Sequence, residues 1–306
     1  MKLSHPYRLR TPRHSVHEKI TDRQPYDALC PGFRIGLIRT LKEFRRCEEL
    51  QAQIWNYSCL SDVVPSSLLA ITPHNGGILL GAFDRRNSMV GFVYSILGLH
   101  HGQLVQHSHM LGVLPAWQHR NIGLALKLAQ RDCAMAMGLK MIVWTFDPLQ
   151  SGNARFNFWR LGVTADAYIP DLYGRSSSSL HGSLPTDRFM ACWHLRSPRT
   201  QRKMQAALAG TPQVDRMPRG VLSHSAFSLS PSDSSPSPVI PVDRGVLIEI
   251  PTDLAHLKKE NPGGVARRQR ILRKTCLEYF SRGWQAIRFY QETIGSRCRS
   301  FYHLAS

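Results

Sequence analysis

The residues Gln118, His119, Arg120, Asn121, Ile122 and Gly123 lie between an apolar stretch ending at Pro115 and an amphipathic run that begins at Asn121. Polar side chains, a cation and a glycine thus gather where a helix starts. A helix start carries N–H groups with no intrahelical partner and a partial positive charge. Backbone N–H groups around Arg120–Leu124 would point along the axis toward one spot, a geometry suited to a pyrophosphate. Gly123 has no Cβ and admits close approach to the backbone, and Arg120 adds a charge-assisted donor. His107 and His109 are two apart on an expected strand, so they share one face; neutral imidazoles suit proton abstraction near pH 7. Asp147 ends another apolar run before Pro148, Asn153 opens the run after it, and Asp187 and Arg188 sit side by side before a third.

Such residues need a frame. Residues 33–40 alternate like a strand. Residues 41–55 place Leu41, Phe44, Leu50 and Ile54 at helical spacing behind Thr40 as a cap. Residues 75–83 and 89–97, joined by the turn 84–88, predict a β-hairpin. Then follow a strand over 104–113, a helix over 121–137 closed by Gly138, a buried strand over 140–146 and a short helix over 152–162 ending at Gly162. Residues 163–174 and 187–195 predict two closing strands. One mixed sheet with helices on its faces, an α/β (α+β) arrangement, would bury this series.

Four regions follow. Residues 1–31 form a basic tail without period, 32–196 the main domain, 197–241 a Ser/Pro-rich linker around "SLSPSDSSPSPVIP", and 242–306 a small basic α/β segment. In the last, 245–250 predicts a strand, Thr252 a cap before a short helix, 266–281 a basic helix and 284–290 a final strand. It is too small for a core of its own and is expected to pack on the main domain.

The 306 residues are 42% hydrophobic and 20% charged, the balance of a globular chain with a sizeable core. The formal net charge is +18, which raises nucleic acid or a polyanionic small ligand as partners. Much of the excess falls between 267 and 299, away from the residues singled out above, and no helix-turn-helix, zinc-finger or RNP-like stretch accompanies it. Nucleic acid is therefore the lesser expectation. The seven cysteines include no C-x-x-C pair, so neither a disulfide framework nor a metal module is expected, and a reducing cytoplasm fits. No secretory leader or apolar membrane span is visible.

The segment from Gln118 to Gly123 resembles the acyl-CoA pyrophosphate loop Q/R-x-x-G-x-G/A of the GNAT N-acetyltransferase superfamily, with Asn121 in place of the first Gly. The helix pattern N-x-x-A/F…Y-x-x-x-G-F/V of that superfamily resembles Asn153, Phe156, Phe158, Gly162 and Val163, with Phe158 where the usual Tyr stands. The stretches "SHMLGVLP", "WTFDPLQSGNARFN" and "LPTDRF" are similar to a sparsely characterised GNAT subfamily. Some members of it are thought to be N-acyltransferases, including N-succinyltransferases acting on amino acids.

The resemblance implies a mostly antiparallel central sheet and a co-substrate such as acetyl-CoA or succinyl-CoA. The implied acceptor is a small-molecule amine, and a homodimer is compatible. Leu111, Gly112 and Val113 would pair with the pantetheine, Gln118 to Leu124 would cradle its diphosphate, and Asn153 would bond the pantetheine arm or cap its helix. Acyl transfer to an amine then needs a base, a stabilised carbonyl oxygen and a thiolate able to leave. No Asp or Glu lies between 104 and 111, so His109 or His107 stands as base. Tyr173 or Tyr168 stands in for the missing acid, or the thiolate leaves unassisted. Asp147 would bind the amine or orient a loop, and Arg188 would hold a carboxylate on acceptor or donor or form a surface salt bridge with Asp187. The competing expectations are an acyl-CoA-binding fold without turnover and a basic nucleic-acid-binding protein.

Overall fold

The computed structural model describes residues 25–57, 62–174, 184–211, 214–215, 217, 239–242, 245–295 and 297–306. In chain order the strands and helices are β1 (Arg34–Leu37), α1 (Leu41–Trp55), α2 (Ser66–Ile71), β2 (Ile78–Phe83), β3 (Met89–His100), β4 (Gln103–Val113), α3 (Ile122–Ala136), β5 (Met141–Phe146), α4 (Ser151–Arg155), β6 (Thr164–Ile169), β7 (Arg188–His194), α5 (Pro198–Leu208), β8 (Val239–Val242), β9 (Gly245–Ile250), α6 (Leu254–Glu260), α7 (Pro262–Ser281), β10 (Gln285–Ile294) and β11 (Arg297–Ala305).

Local chemistry sets several boundaries. Thr40 and Glu43 form a reciprocal capping box that starts α1. Between β2 and β3 the Asp84 carboxylate accepts from the backbone N–H of Arg86 and of Ser88, which closes the hairpin turn. Every residue of β2 is buried, as expected for a strand covered on both faces.

The described strands form one mixed, mostly antiparallel sheet in the order β1-β2-β3-β4-β5-β7-β6-β10-β11-β9-β8, with helices on both faces. On one face α3 packs over Ile78, Leu80, Val93 and Ile142. On the other, α1 and α2 set Phe44, Leu50 and Leu69 against Leu79, Phe92 and Tyr94. The β4–β5 pair is parallel; every other pairing among the described strands is antiparallel.

The regional outline differs from the expected one in four places. Residues 245–306 continue the same sheet through β6 and β10 and include a strand, β11, that the sequence pattern did not announce. Residues 198–208, inside the expected linker, form α5, whose Ser197 cap accepts from Thr200 N–H. Tyr26 and Cys30, expected in the basic tail, are 1% exposed and belong to the main core. The α6 cap is Asp253, because Thr252 donates its hydroxyl to Cys298 O instead. The expected tail up to residue 24 and the Ser/Pro-rich 228–238 lie outside the described residues. No described helix is long and apolar enough to cross a membrane.

Candidate active site

The parallel strands β4 and β5 pair at Gln106↔Ile142 and His107↔Val143 and then part. Beyond that point β4 keeps its bonds to β3 and β5 its bonds to β7, so their facing edges have no strand between them. The gap is a cleft of ≈ 640 Å³. Its walls are Ser108, His109, Met110 and Leu111 from β4 and Trp144 to Asp147 from the end of β5. Lys127 of α3, Asn153, Phe156 and Asn157 near α4, and Tyr173 and Arg188 complete it, with Trp55, Tyr57 and Asp62 on the α1 side. An open backbone edge of this kind accepts an extended ligand by strand-like pairing.

A β-bulge aims His109. Tyr94 pairs with Met110 and Ser95 with Ser108, which leaves His109 as the extra residue on β4. Its ring meets Tyr94 edge-on at 5.8 Å and opens to the cleft. The walls around it desolvate the imidazolium and hold its pKa below the ordinary value, so the ring is a neutral base near pH 7. His107 lies on the same side, with ring centroids 6.5 Å apart, but it does not line the cleft. Burial, and then the neighbouring His109, His100 and Lys127, lower its pKa too.

The start of α3 stands against Leu111, a residue of the cleft wall. Asn121 and His119 both adopt left-handed backbone, φ 59° and 62°. Asn adopts this conformation more readily than other non-glycine residues, and its side chain makes no capping bond to the helix. Its Oδ1 accepts instead from Arg160 Nη2 at 2.9 Å, while Arg160 Nε is buried with no hydrogen-bond partner among the described residues. The N–H groups of Ile122, Gly123 and Leu124 precede the first helical bond, from Ala125 N–H to Asn121 O. A Cβ on Gly123 would meet only Leu111 Cδ2, at 3.9 Å, so the space above this backbone is open. Gln118 Nε2 donates to Val113 O at 3.1 Å and ties the loop to the end of β4. Arg120 lies over the Trp117 ring at 5.0 Å. A second hollow of ≈ 330 Å³ opens beside Arg120 and Asn121.

Other expected residues divide. Leu111 lines the cleft, but Gly112 serves another neighbour: a Cβ there would meet Ile54 and Trp55 of α1 at 2.8–3.0 Å. Asn153 lines the cleft inside α4, whose N-cap position is Gln150. Tyr173 reaches the cleft and shares a hydrogen bond with Thr145 Oγ1 at 2.8 Å. Tyr168 does not; it is buried and donates to Asp187 Oδ2 at 2.6 Å, which pushes its pKa up. Phe158 is fully buried against Phe146 and Tyr302. Asp187 and Arg188 are not an ion pair with each other. The Asp187 carboxylate takes a two-pronged bond from Arg273 of α7, at 2.9 and 2.6 Å, while Arg188 donates to Asp187 O and lies over the Tyr173 ring. Asp147 caps its own turn by accepting from Leu149 N–H, and burial raises its pKa.

Lys127 is the residue that sequence patterning missed. It is 2% exposed, with Nζ donating to Gln130 Oε1 at 2.7 Å and Ser108 Oγ at 3.2 Å, 3.8 Å from the Trp144 ring centroid. These partners are neutral, and burial drives the amine well below its ordinary pKa. The available signal is a lysine with Gln130 three residues on, inside a run whose other members from Leu124 to Ala129 are all apolar. Arg160 was also missed; nothing in its spacing marks it, because its contact with Asn121 is tertiary.

No family model matches the sequence. No curated protein matches it either. Solved structures similar to it include NAA60 of Arabidopsis thaliana in complex with a bisubstrate analogue, at 13% identity and TM-score 0.43 over 53% of this chain and 97% of that one. A GNAT-family acetyltransferase from Streptococcus pneumoniae is similar at 11% identity and TM-score 0.42, over 52% and 98%. The ribosomal-protein-S18-alanine N-acetyltransferase from Escherichia coli is similar at 11% identity and TM-score 0.42, over 54% and 95%.

Proposed function

We propose that this chain is a GNAT-type N-acyltransferase that moves an acetyl or succinyl group from an acyl-CoA to the amine of a small molecule, with amino acids as the acceptor class. One observation carries this reading: β4 and β5 part after His107 and Val143, and the freed stretch of β4 runs to Leu111, against the uncapped start of α3 at Gly123. The free inner edge of β4 suits the amide-bearing pantetheine as an added strand. The N–H groups of Ile122, Gly123 and Leu124 suit its diphosphate, with Arg120 and Arg160 on the flanks. The hollow beside Arg120 leaves room for the nucleotide end.

Within the cleft, roles follow from protonation and position. Neutral His109 takes the proton of the attacking amine. Arg188 holds a carboxylate on the acceptor, or on a succinyl donor, by a charge-assisted fork. Tyr173, whose hydroxyl reaches the cleft beside Thr145, protonates the departing thiolate once the C–S bond breaks. Holding both substrates in one cleft supplies much of the rate by proximity.

The experiment is a panel of acyl-CoA donors and amines read by free-thiol release. Amine-dependent thiol release that collapses in His109→Ala supports the reading. Saturable CoA binding with no product from any pair would leave a binding fold without turnover, and it would overturn the enzymatic part.

A further inference from the structure

The tip of the β3–β4 hairpin curls over the sheet and ends on residues from two other strands. His100 Nε2 lies 2.9 Å from Asp166 Oδ2, and His101 Nε2 lies 3.1 Å from the same oxygen. Cys192 Sγ lies 3.5 Å from His100 Nε2. The ligand atoms of His100, Asp166 and Cys192 all fall within 4.8 Å of one another. With His101, which touches Asp166 but lies outside that 4.8 Å set, the cluster offers one thiolate, two imidazoles and one carboxylate.

We propose that His100, His101, Asp166 and Cys192 form a tetrahedral zinc(II) site. The donor set is the first reason: mixed sulfur, imidazole and carboxylate ligands in one cluster are the choice of Zn(II) among common divalent ions. Spacing is the second. Bonds of about 2.3 Å to sulfur and about 2.1 Å to nitrogen, at a tetrahedral angle, place those two ligands about 3.6 Å apart, close to the 3.5 Å from Cys192 to His100. The His100–Asp166 contact needs to open only by about half an ångström to admit the ion, and the exposed His101 ring turns inward to join it.

Local structure supplies the third reason. Asp166 is the extra residue of a β-bulge, because Ala165 pairs with Ala191 and Ala167 with Met190. A bulge re-aims a side chain, and this one turns a carboxylate onto the hairpin tip. Its other oxygen, Oδ1, is buried with no hydrogen-bond partner among the described residues. An apolar cluster of Val105, Met141, Val143 and Cys192 walls the site. His101, at φ 46° and beside Gly102 at φ 74°, is held in a tight turn that sets its ring 4.1 Å from that of His100, tilted by 58°.

Ligation by Cys192 releases its thiol proton to solvent. Four protein ligands leave no open position, so the ion is a clamp and not a reaction centre. It joins the hairpin to β6 and β7, across β5, in the sheet order β3-β4-β5-β7-β6.

The test uses the full-length chain stripped of metal and titrated with Co(II), then challenged with Zn(II). It needs no acyltransferase activity. The expected result is one equivalent of Co(II) with visible bands of tetrahedral intensity and a thiolate-to-cobalt charge-transfer band, both abolished by Zn(II). Cys192→Ser should erase the charge-transfer band, Asp166→Asn and His100→Gln should each weaken binding at least tenfold, and Cys298→Ser, removing the exposed thiol, should change nothing. Circular dichroism of each variant confirms that it folds. A wild-type titration without the charge-transfer band, or a band that survives Cys192→Ser, overturns the proposal.

Discussion

His109 and Lys127 face the same cleft, and burial lowers the pKa of both. His109 must be neutral to act as a base, and its pKa is lowered from the ordinary 6.5 by desolvation. The acid limb of a kcat/KM profile should therefore fall below the ordinary imidazole pKa, with activity lost as pH drops through it. His109→Ala should cut kcat by about 10²–10⁴-fold and remove that limb; an unchanged limb would assign the base elsewhere. Lys127 bears on stability in the same direction. Its pKa is lower folded than unfolded, so between the two values the unfolded chain binds the extra proton and stability rises with pH. Replacing it with methionine, Lys127→Met, should raise Tm at neutral pH and flatten the pH dependence of unfolding up to the ordinary lysine pKa. A lower Tm in that variant would show that its bonds to Gln130 and Ser108 outweigh the desolvation of its charge.

At the scale of elements, the departure of β4 from β5 makes the cleft, and the start of α3 stands at its edge against Leu111. Gly123→Leu tests the second of these separately from folding. The space above Gly123 is open, and leucine favours helix over glycine, so the free protein should keep or gain stability. CoA affinity should nonetheless fall more than tenfold, as read by calorimetry. Periodicity and turn chemistry made most of these elements legible: the hairpin, α1 with its Thr40 cap, α3, and β5 all lie within a few residues of where the sequence places them. The polar helix start from Gln118 to Gly123 was legible as well, because it is local in the chain. What was not legible is tertiary. The His109 bulge depends on register with β3, the burial of Lys127 on α3 being covered along most of its circumference, and the partner of Asp187 on a helix 86 residues away. Gly112 looked like a ligand contact because spacing cannot tell an approaching helix from an approaching ligand.

Across the whole molecule, the basic C-terminal region is part of the frame of the cleft. Tyr302 donates to Pro148 O, Ser151 donates to Thr252 O, and Arg273 holds Asp187 next to Arg188. Several of its cations work internally, since Arg299 pairs with Glu249 as Arg273 does with Asp187, which weakens the reading of the +18 charge as a nucleic-acid surface. Arg273→Leu should cost about 2–3 kcal/mol in urea unfolding, less than a fully buried pair because Arg273 stays part exposed. It should also raise KM for the acceptor through Arg188. A change within about 0.5 kcal/mol would mean that Tyr168 and the Asp171 N–H alone keep Asp187 satisfied. The central claim is that the open edge of β4 and the uncapped start of α3 together bind an acyl-CoA. Calorimetric titration of CoA into the wild-type chain and into Gly123→Leu tests it most directly. The account predicts one saturable equivalent for the wild type and at least a tenfold loss in a variant of undiminished Tm; no saturable binding to the wild type, or equal binding to both, would contradict it.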